Sequence, residues 1–283
     1  MVAQGYTQEV GIDYDEVFAP IAKIKAIRLF LAYASFMGFM VYQMDVKSAF
    51  LYGKIEEELQ EPGIKPGQVY IDDIIFGSTK KELCIKFETL MHDKFQMSSM
   101  GELTFFLGMQ VKQKEDGIFI SQDKYVADIL RKFGFIDVRT ASTPMDIEKP
   151  LLKDSDGDDV DVHLYRSMIR SLMYHTLSRP DIMFAICACA RFQVTPKVSH
   201  SHAVKRIFMY LKGQPKLGLW YPRDSPFDMV AYSNSDYVGP SLDRKSTIGG
   251  CQFLGCILIS WQCKKQIVVA TSSTEAEYVA AAS

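Results

Sequence analysis

The sequence lacks the features that define several large classes of protein. None of its 283 residues lie in an apolar run approaching eighteen residues, which argues against a membrane-spanning helix and a membrane partner. The N-terminal residues have no basic segment followed by an apolar one, so we expect no secretory signal and an intracellular location. The six cysteines form no CxxC pair and have no histidines nearby. We therefore expect reduced thiols, without a disulfide framework or a zinc site.

The charged residues nearly balance, at 32 Lys and Arg against 34 Asp and Glu, but they are unevenly distributed. Residues 162 to 223 contain ten basic residues and one acid, whereas residues 146 to 161 contain seven acids and two lysines. The acidic stretch predicts a linker, and the basic region predicts helices with a phosphate-binding surface. Its candidate nucleic-acid-binding residues are Lys205, Arg206 and Lys212. The alternative is that these charges are the solvated faces of ordinary helices.

Hydrophobic patterning predicts a mixture of helices and strands. A helix is expected before Gly38, followed by a short buried strand from 40 to 46 that carries Asp45. Residues 56 to 68 contain proline–glycine breakers and predict a loop, and residues 69 to 76 predict a strand, a turn and a second strand. Hairpins are expected at 104–122 and 250–262, helices at 124–133, 163–178, 180–193 and 200–212, and a strand at 229–235. Thr274 and Glu277 predict the cap of a final helix.

Two adjacent aspartates, Asp72 and Asp73, interrupt the apolar sequence VYIDDIIFG. Adjacent carboxylates repel each other, and a bound cation is the usual compensation. Phosphodiester synthesis and hydrolysis both use pairs of magnesium ions held by carboxylates on rigid elements. Turn preference explains one aspartate here, but it explains two in such apolar surroundings less well. The pattern therefore indicates metal-dependent chemistry on nucleic acid.

The segment Tyr70 to Asp73 resembles the Y-x-D-D hairpin of reverse transcriptases, and QMDVKSAFLYG resembles the motif of their first metal-binding aspartate. Longer blocks along nearly the whole chain are similar to Pol polyproteins of copia-type retrotransposons: VAQGYTQEVGIDYDEVFAP, FQMSSMGELTFFLGMQV, YRSMIRSLMY and LGLWYPRDSPF. The resemblance implies that Asp45, Asp72 and Asp73 hold two Mg²⁺ (or Mn²⁺) ions. It implies substrate-binding roles for Tyr70 and Phe50. Phe50 matches the aromatic gate against the ribose 2′-hydroxyl, and core packing is its alternative.

The C-terminal region resembles a ribonuclease H-like domain. The family pattern Y-S-D-S-D stands here as Tyr232 to Asp236, with Asn234 in place of the first aspartate, and S-T-E-A-E-Y is intact from Ser273 to Tyr278. The resemblance implies that Glu275 is the catalytic helix carboxylate and that Asp236 and Glu275 are metal ligands. Because the amide of Asn234 is neutral and ligates Mg²⁺ poorly, we expect this second site to be impaired.

The sequence departs from the family between its two metal-binding motifs. Only 27 positions separate Asp45 from Asp72, too few for the palm helices that the family places there. We therefore expect a deletion junction near residues 58 to 69. We also expect the family's triphosphate-binding fingers residues and the last ribonuclease H elements to be missing. The predicted fold is α+β: a reverse transcriptase palm and fingers remnant (1–147), an acidic linker with a helical connection (148–225), and a truncated ribonuclease H-like α/β end (226–283).

The resemblance implies an RNA-directed DNA polymerase acting on an RNA template, a DNA primer, dNTPs and RNA–DNA hybrids in a cytoplasmic virus-like particle. Because supporting segments are missing, we expect this chain to be catalytically defective. Two alternatives remain open. One is a non-enzymatic nucleic-acid-binding remnant, and the other is a nuclease that cuts RNA–DNA hybrids.

Overall fold

Runs of strands and runs of helices follow one another in the computed structural model, which describes residues 20–45, 65–70, 73–146, 151–236 and 245–282. The mixture agrees with the α+β class predicted from the sequence. Three antiparallel sheets and a group of packed helices make up the described part. Phe50 and Asp72 lie outside the described residues, as does the predicted junction up to residue 64.

The first sheet carries the predicted aspartate motifs. Helix α1 (Pro20–Met37) ends at Gly38, whose φ of +67° suits a residue without a β-carbon. The sheet has the order β2-β3-β1-β4, and helix α2 packs on it. Its elements are β1 (Val41–Asp45), β2 (Lys65–Tyr70), β3 (Asp73–Gly77), α2 (Lys81–Lys94) and β4 (Gly101–Glu102).

The loop predicted for residues 56 to 68 is wrong at its C-terminal end, because β2 begins at Lys65. The register of β2 against β3 shifts between Pro66 and Gln68. Proline and a bulge are tolerated there because β2 is an edge strand, where one side of the backbone needs no partner.

The second sheet joins segments that are far apart in the sequence. It has the order β5-β6-β7-β8, with β5 (Phe105–Phe106), β6 (Met109–Lys114), β7 (Gly117–Ser121) and β8 (Leu219–Pro222). Strands β6 and β7 form the predicted hairpin. Strand β8 then pairs with β7, with Tyr221 opposite Ile118.

A helical layer follows β7 in the chain. Its elements are α3 (Asp123–Lys132), α4 (Val162–His175), a short 3-10 turn (Pro180–Ile182), α5 (Met183–Ala190) and α6 (Val198–Gly213). Their apolar faces share a core of their own, with Leu172, Ile186 and Phe208 fully buried. These helices confirm the predicted elements to within a few residues at each end, apart from the 3-10 turn at residues 180–182.

The third sheet contains the predicted C-terminal elements. It has the order β11-β10-β9, formed by β9 (Met229–Asp236), β10 (Thr247–Leu254) and β11 (Ile257–Lys265), and α7 (Ser273–Ala281) packs on β9. The hairpin turns at Gly255, where φ is +59°.

One hydrophobic core connects all three predicted segments of the chain. It contains Ile27 of α1, Ile120 of β7, Tyr221 of β8 and Trp261 of β11. The guanidinium of Arg28 lies 3.7 Å from the centre of the Trp261 ring. The division into segments 1–147, 148–225 and 226–283 stays a prediction, and the described residues of these segments pack together. No helix in the described ranges is both long and apolar enough to cross a membrane.

Candidate active site

The ends of β1 and β3 bring two of the predicted metal-binding positions together. The strands are antiparallel, and Asp45 stands directly opposite Asp73. Directly opposed residues of an antiparallel pair lie on the same face of the sheet. Tyr70 is the partner of Asp73 on the other side, in β2. Positions 45, 70 and 73 therefore form one row across three strands.

The backbone of Asp45 is fixed from both sides. Besides its pairing with β3, its N–H donates to Ser98 Oγ at 2.7 Å, and its carbonyl accepts from the Ser98 N–H at 2.8 Å. The Asp45 side chain itself is exposed at the strand end, whereas Met44 is buried against α2. Ser98 could not be identified from the sequence, because its role depends on a contact between residues 53 positions apart.

The donor types at this strand end fit a hard divalent cation. Two opposed carboxylate residues at one end of a sheet repel each other unless a cation or proton lies between them. Mg²⁺ prefers such oxygen ligands and keeps several waters. Among the side chains that the structure describes, no three carboxylate, histidine or cysteine groups converge as a metal site. The side chains at 72 and 73 are outside that set.

The second predicted site lies on α7 and β9, and the roles expected there for Asp236 and Glu275 stay predictions. Glu275 is exposed, and its Oε2 accepts from both the N–H and the hydroxyl of Thr271 at 2.6 Å. These bonds hold the pKa of Glu275 below its usual value. The backbone of Asp236 lies in β9 opposite Thr247. The described contacts of Glu275 are thus to the loop before α7, and none is to β9.

The glutamate that reaches β9 is Glu277. Its Oε1 accepts from the Ser235 N–H at 3.1 Å. Beside this contact, buried Gln266 donates to Ser235 Oγ at 3.1 Å and to the carbonyl of Ala276 at 2.8 Å. These bonds attach α7 to β9. Glu277 was predicted to take part in the helix cap with Thr274, and its contact with Ser235 was not predicted from the sequence.

A sequence signal for this arrangement existed. Ser272 is the residue that caps α7, because its hydroxyl accepts from the Glu275 N–H at 3.1 Å. The pattern Ser272-x-x-Glu275 is itself a capping sequence. Residues two apart on a helix point in nearly opposite directions, so assigning Glu275 to the cap leaves Glu277 to face the strand.

Two of the three predicted nucleic-acid-binding residues donate hydrogen bonds to residues 138 and 143, in the segment before the acidic stretch. Arg206 donates to the carbonyl of Thr143 at 3.2 Å and to its hydroxyl at 2.9 Å. Lys212 Nζ donates to the carbonyl of Val138 at 2.6 Å. Lys205 is exposed and lines a groove between α3, α4 and α6. The predicted role of all three in nucleic-acid binding stays a prediction.

Comparison with known proteins places these motifs in a family. The description "Reverse transcriptase (RNA-dependent DNA polymerase)" belongs to a family model that matches residues 1–66 and 67–147, about half of the chain. The chain therefore belongs to the reverse transcriptase family. Its relatives within that family include Pol polyproteins of copia-type transposons, as predicted from the sequence.

The Pol polyproteins match along nearly the whole chain. The retrovirus-related Pol polyprotein from transposon RE1 of Arabidopsis thaliana is 30% identical over 98% of the chain and 23% of its own length. That from transposon TNT 1-94 of Nicotiana tabacum is 30% identical over 99% of the chain and 26% of its own length. The chain thus spans about a quarter of these relatives. An uncharacterised mitochondrial protein of Arabidopsis thaliana is 36% identical over 76% of the chain and 89% of its own length. No solved structure matches the chain.

The alignments also contain a gap in this chain. The alignment with the RE1 polyprotein extends over 338 positions, at least 55 more than the 283 residues of the chain. That many positions of the relative therefore have no counterpart here. The family model is matched in two pieces that meet between residues 66 and 67.

Proposed function

We propose that the chain derives from an RNA-directed DNA polymerase of a copia-type retrotransposon and is catalytically defective in this shortened form. The observation that carries the ancestral role is the pairing of Asp45 with Asp73 at one end of the first sheet. In this proposal Asp45, Asp72 and Asp73 would hold Mg²⁺ or Mn²⁺, and Tyr70 and Phe50 would contact the incoming nucleotide. Metal held there would supply activation of the primer hydroxyl and stabilisation of the pyrophosphate that leaves the dNTP.

The unmatched positions in the alignment support the proposed defect. The two-part match divides between residues 66 and 67, inside the region predicted to contain a junction. Catalysis requires that template, primer and nucleotide be held close to productive geometry by a supporting shell of residues. At least 55 positions of the relative have no counterpart in this chain. The chain therefore retains the aspartates and lacks part of the supporting shell.

Primer extension tests the proposal. Purified full-length chain is incubated with a labelled DNA primer on an RNA template, dNTPs and Mg²⁺ or Mn²⁺. We expect no extension above the level of the matched Asp72→Asn variant. Extension by the wild-type chain that disappears in Asp72→Asn would contradict the proposed defect. Asp45→Asn serves as a second variant, because it removes a carboxylate from the neighbouring strand.

A nuclease acting on RNA–DNA hybrids is the second candidate. The contact between Glu277 and Ser235 favours it, because it holds a helix carboxylate beside β9 and the exposed Asn234. The neutral Asn234 amide weighs against metal binding there, so we expect no cleavage of a labelled hybrid. Cleavage that is lost in Glu277→Gln and retained in Glu275→Gln would instead support a nuclease and assign the carboxylate.

A further inference from the structure

A groove of about 450 Å³ lies between α3, α4 and α6, outside both carboxylate sites. Its floor is apolar and is formed by Phe133, Phe135, Leu164 and Met168. Leu164, in the first turn of α4, remains 50% exposed, whereas the next residue, Tyr165, is buried. An exposed apolar floor in a concave surface is typical of a site that buries part of a ligand.

Two lysines stand at the rim of this groove, one from α3 and one from α6. Lys132 Nζ lies 5.0 Å from the centre of the Phe133 ring and 3.5 Å from Ser167 Oγ. Lys205 is exposed and forms no ion pair within the described part of the chain. Both ammonium groups therefore border the apolar floor.

The acidic residue in the groove faces the helix backbone. Asp161 caps α4, and its Oδ1 accepts from the N–H groups of His163 and Leu164 at 2.8 and 3.1 Å. A carboxylate in this position interacts with the positive end of the helix. The rim thus offers two cationic groups to a ligand, while its one carboxylate is already bonded to the protein.

We propose that this groove binds a segment of single-stranded nucleic acid, with a base on Leu164 and Phe133 and the flanking phosphates at Lys132 and Lys205. A free phosphate would contact the lysines and leave the apolar floor in water. A neutral apolar ligand would cover the floor and supply no negative charge to the two lysines. A single strand supplies both groups at once, because its bases have free faces and its backbone is anionic. A duplex hides its base faces by stacking. The inference rests on the proposed descent from a nucleic-acid enzyme and assigns its surviving binding site.

Fluorescence anisotropy with a labelled twelve-residue oligothymidylate tests the groove. We expect the double variant Lys132→Gln/Lys205→Gln to raise Kd about tenfold, because charge-assisted contacts to phosphate are lost. The slope of log K against log salt should fall in magnitude by about 0.7 for each phosphate contact removed. Lys86→Gln is the matched control, since Lys86 is an exposed lysine of α2, in another part of the fold. Circular dichroism checks that each variant is folded.

An abasic oligomer of the same length separates base contact from phosphate contact. We expect it to bind several-fold more weakly than oligothymidylate and to be insensitive to Leu164→Gln. Equal binding of the two oligomers would reject the base contact. Equal affinity of the double variant and Lys86→Gln would overturn the groove as the site. Primer extension by the wild-type chain would refute the proposed catalytic defect and leave the groove inference standing, so the two failures are distinguishable.

Discussion

The buried ion pair of Arg179 and Asp181 should be a main determinant of stability in the helical layer. Arg179 Nε and Nη2 donate to the two carboxylate oxygens at 2.9 and 2.7 Å, and Nη1 donates to the carbonyl of Gln214 at 2.8 Å. Tyr210 adds a hydroxyl bond to the same carboxylate at 2.8 Å. The side chain of Arg179 is 1% exposed and that of Asp181 is 27% exposed. The substitution Asp181→Asn would leave a buried guanidinium without its counter-charge.

Removal of one partner from a buried ion pair costs about 3–5 kcal/mol. Because Asp181 retains some solvent contact and the amide keeps one oxygen acceptor, we expect the lower end, about 3 kcal/mol. That is a large part of the free energy of unfolding of a typical protein, which is about 5–15 kcal/mol. The measurement is urea unfolding at pH 7, followed by circular dichroism and tryptophan fluorescence.

The matched control is Asp128→Asn, which breaks an exposed pair with Arg131. Both of its side chains are 68% exposed, so this change should cost less than about 0.5 kcal/mol. If Asp181→Asn lowers the free energy of unfolding by less than about 1 kcal/mol, the value expected for an exposed pair, the argument from burial is refuted.

Acid should remove the contribution of this pair. Burial raises the pKa of Asp181, but the hydrogen bonds and charge of Arg179, with the hydroxyl of Tyr210, outweigh burial and hold the pKa below its usual value. The stabilisation is therefore complete above the unfolded pKa of about 3.9 and is lost as pH falls through the folded value. The difference in the free energy of unfolding between wild type and Asp181→Asn should decrease below about pH 4.

Two further substitutions probe single residues. Burial is the main cause that lowers the pKa of His175 to about 3, with Arg179 adding to it, so the unfolded chain alone takes up its proton as pH falls from 6.5 toward 3. At pH 5 this proton uptake lowers the free energy of unfolding by about 2 kcal/mol. His175→Leu should therefore remove that part of the decrease in the urea midpoint between pH 7 and pH 5. An equal decrease in both proteins would contradict the prediction. Gly255→Ala should cost about 1–3 kcal/mol in the same unfolding assay, because a β-carbon at φ +59° would overlap the Pro226 carbonyl. Gly249→Ala, with open space around it, should change stability much less, and equal losses in the two variants would refute the steric argument.

Most individual elements could be predicted from the sequence because their signals are local. Gly38 follows the end of α1 as expected, and the β6–β7 hairpin turns at Glu115 and Asp116, just before Gly117. The pairing of β7 with β8 could not be predicted, because Ile118 and Tyr221 come together only when the helices between them have packed. The same limit applies to the shared core, in which Trp261 meets Arg28 of α1.

The candidate sites follow the same distinction between local and distant contacts. The resemblance implied that Asp45 and Asp73 lie close together, whereas the hydrogen bonds between Asp45 and Ser98 depend on a tertiary contact. On α7, the capping pattern Ser272-x-x-Glu275 is local and could have assigned Glu275 to the cap, whereas the contact of Glu277 with Ser235 depends on the position of β9. Lys205 was identified from charge alone, but its neighbour Lys132 lies on a helix 73 positions earlier and enters the site only through packing.

The persistence of the Asp45–Asp73 pair follows from how little of the chain it requires. Strands β1 and β3 pair through their own backbones, α2 covers their buried face, and Ser98 fixes the end of β1. All of these contacts are made by described residues outside the range 46 to 64, and the two pieces of the family match meet between residues 66 and 67. A strand pair of this kind can therefore form without the positions of the relative that have no counterpart in this chain. For this reason the geometry of the aspartates supports descent from a polymerase, and primer extension alone decides activity.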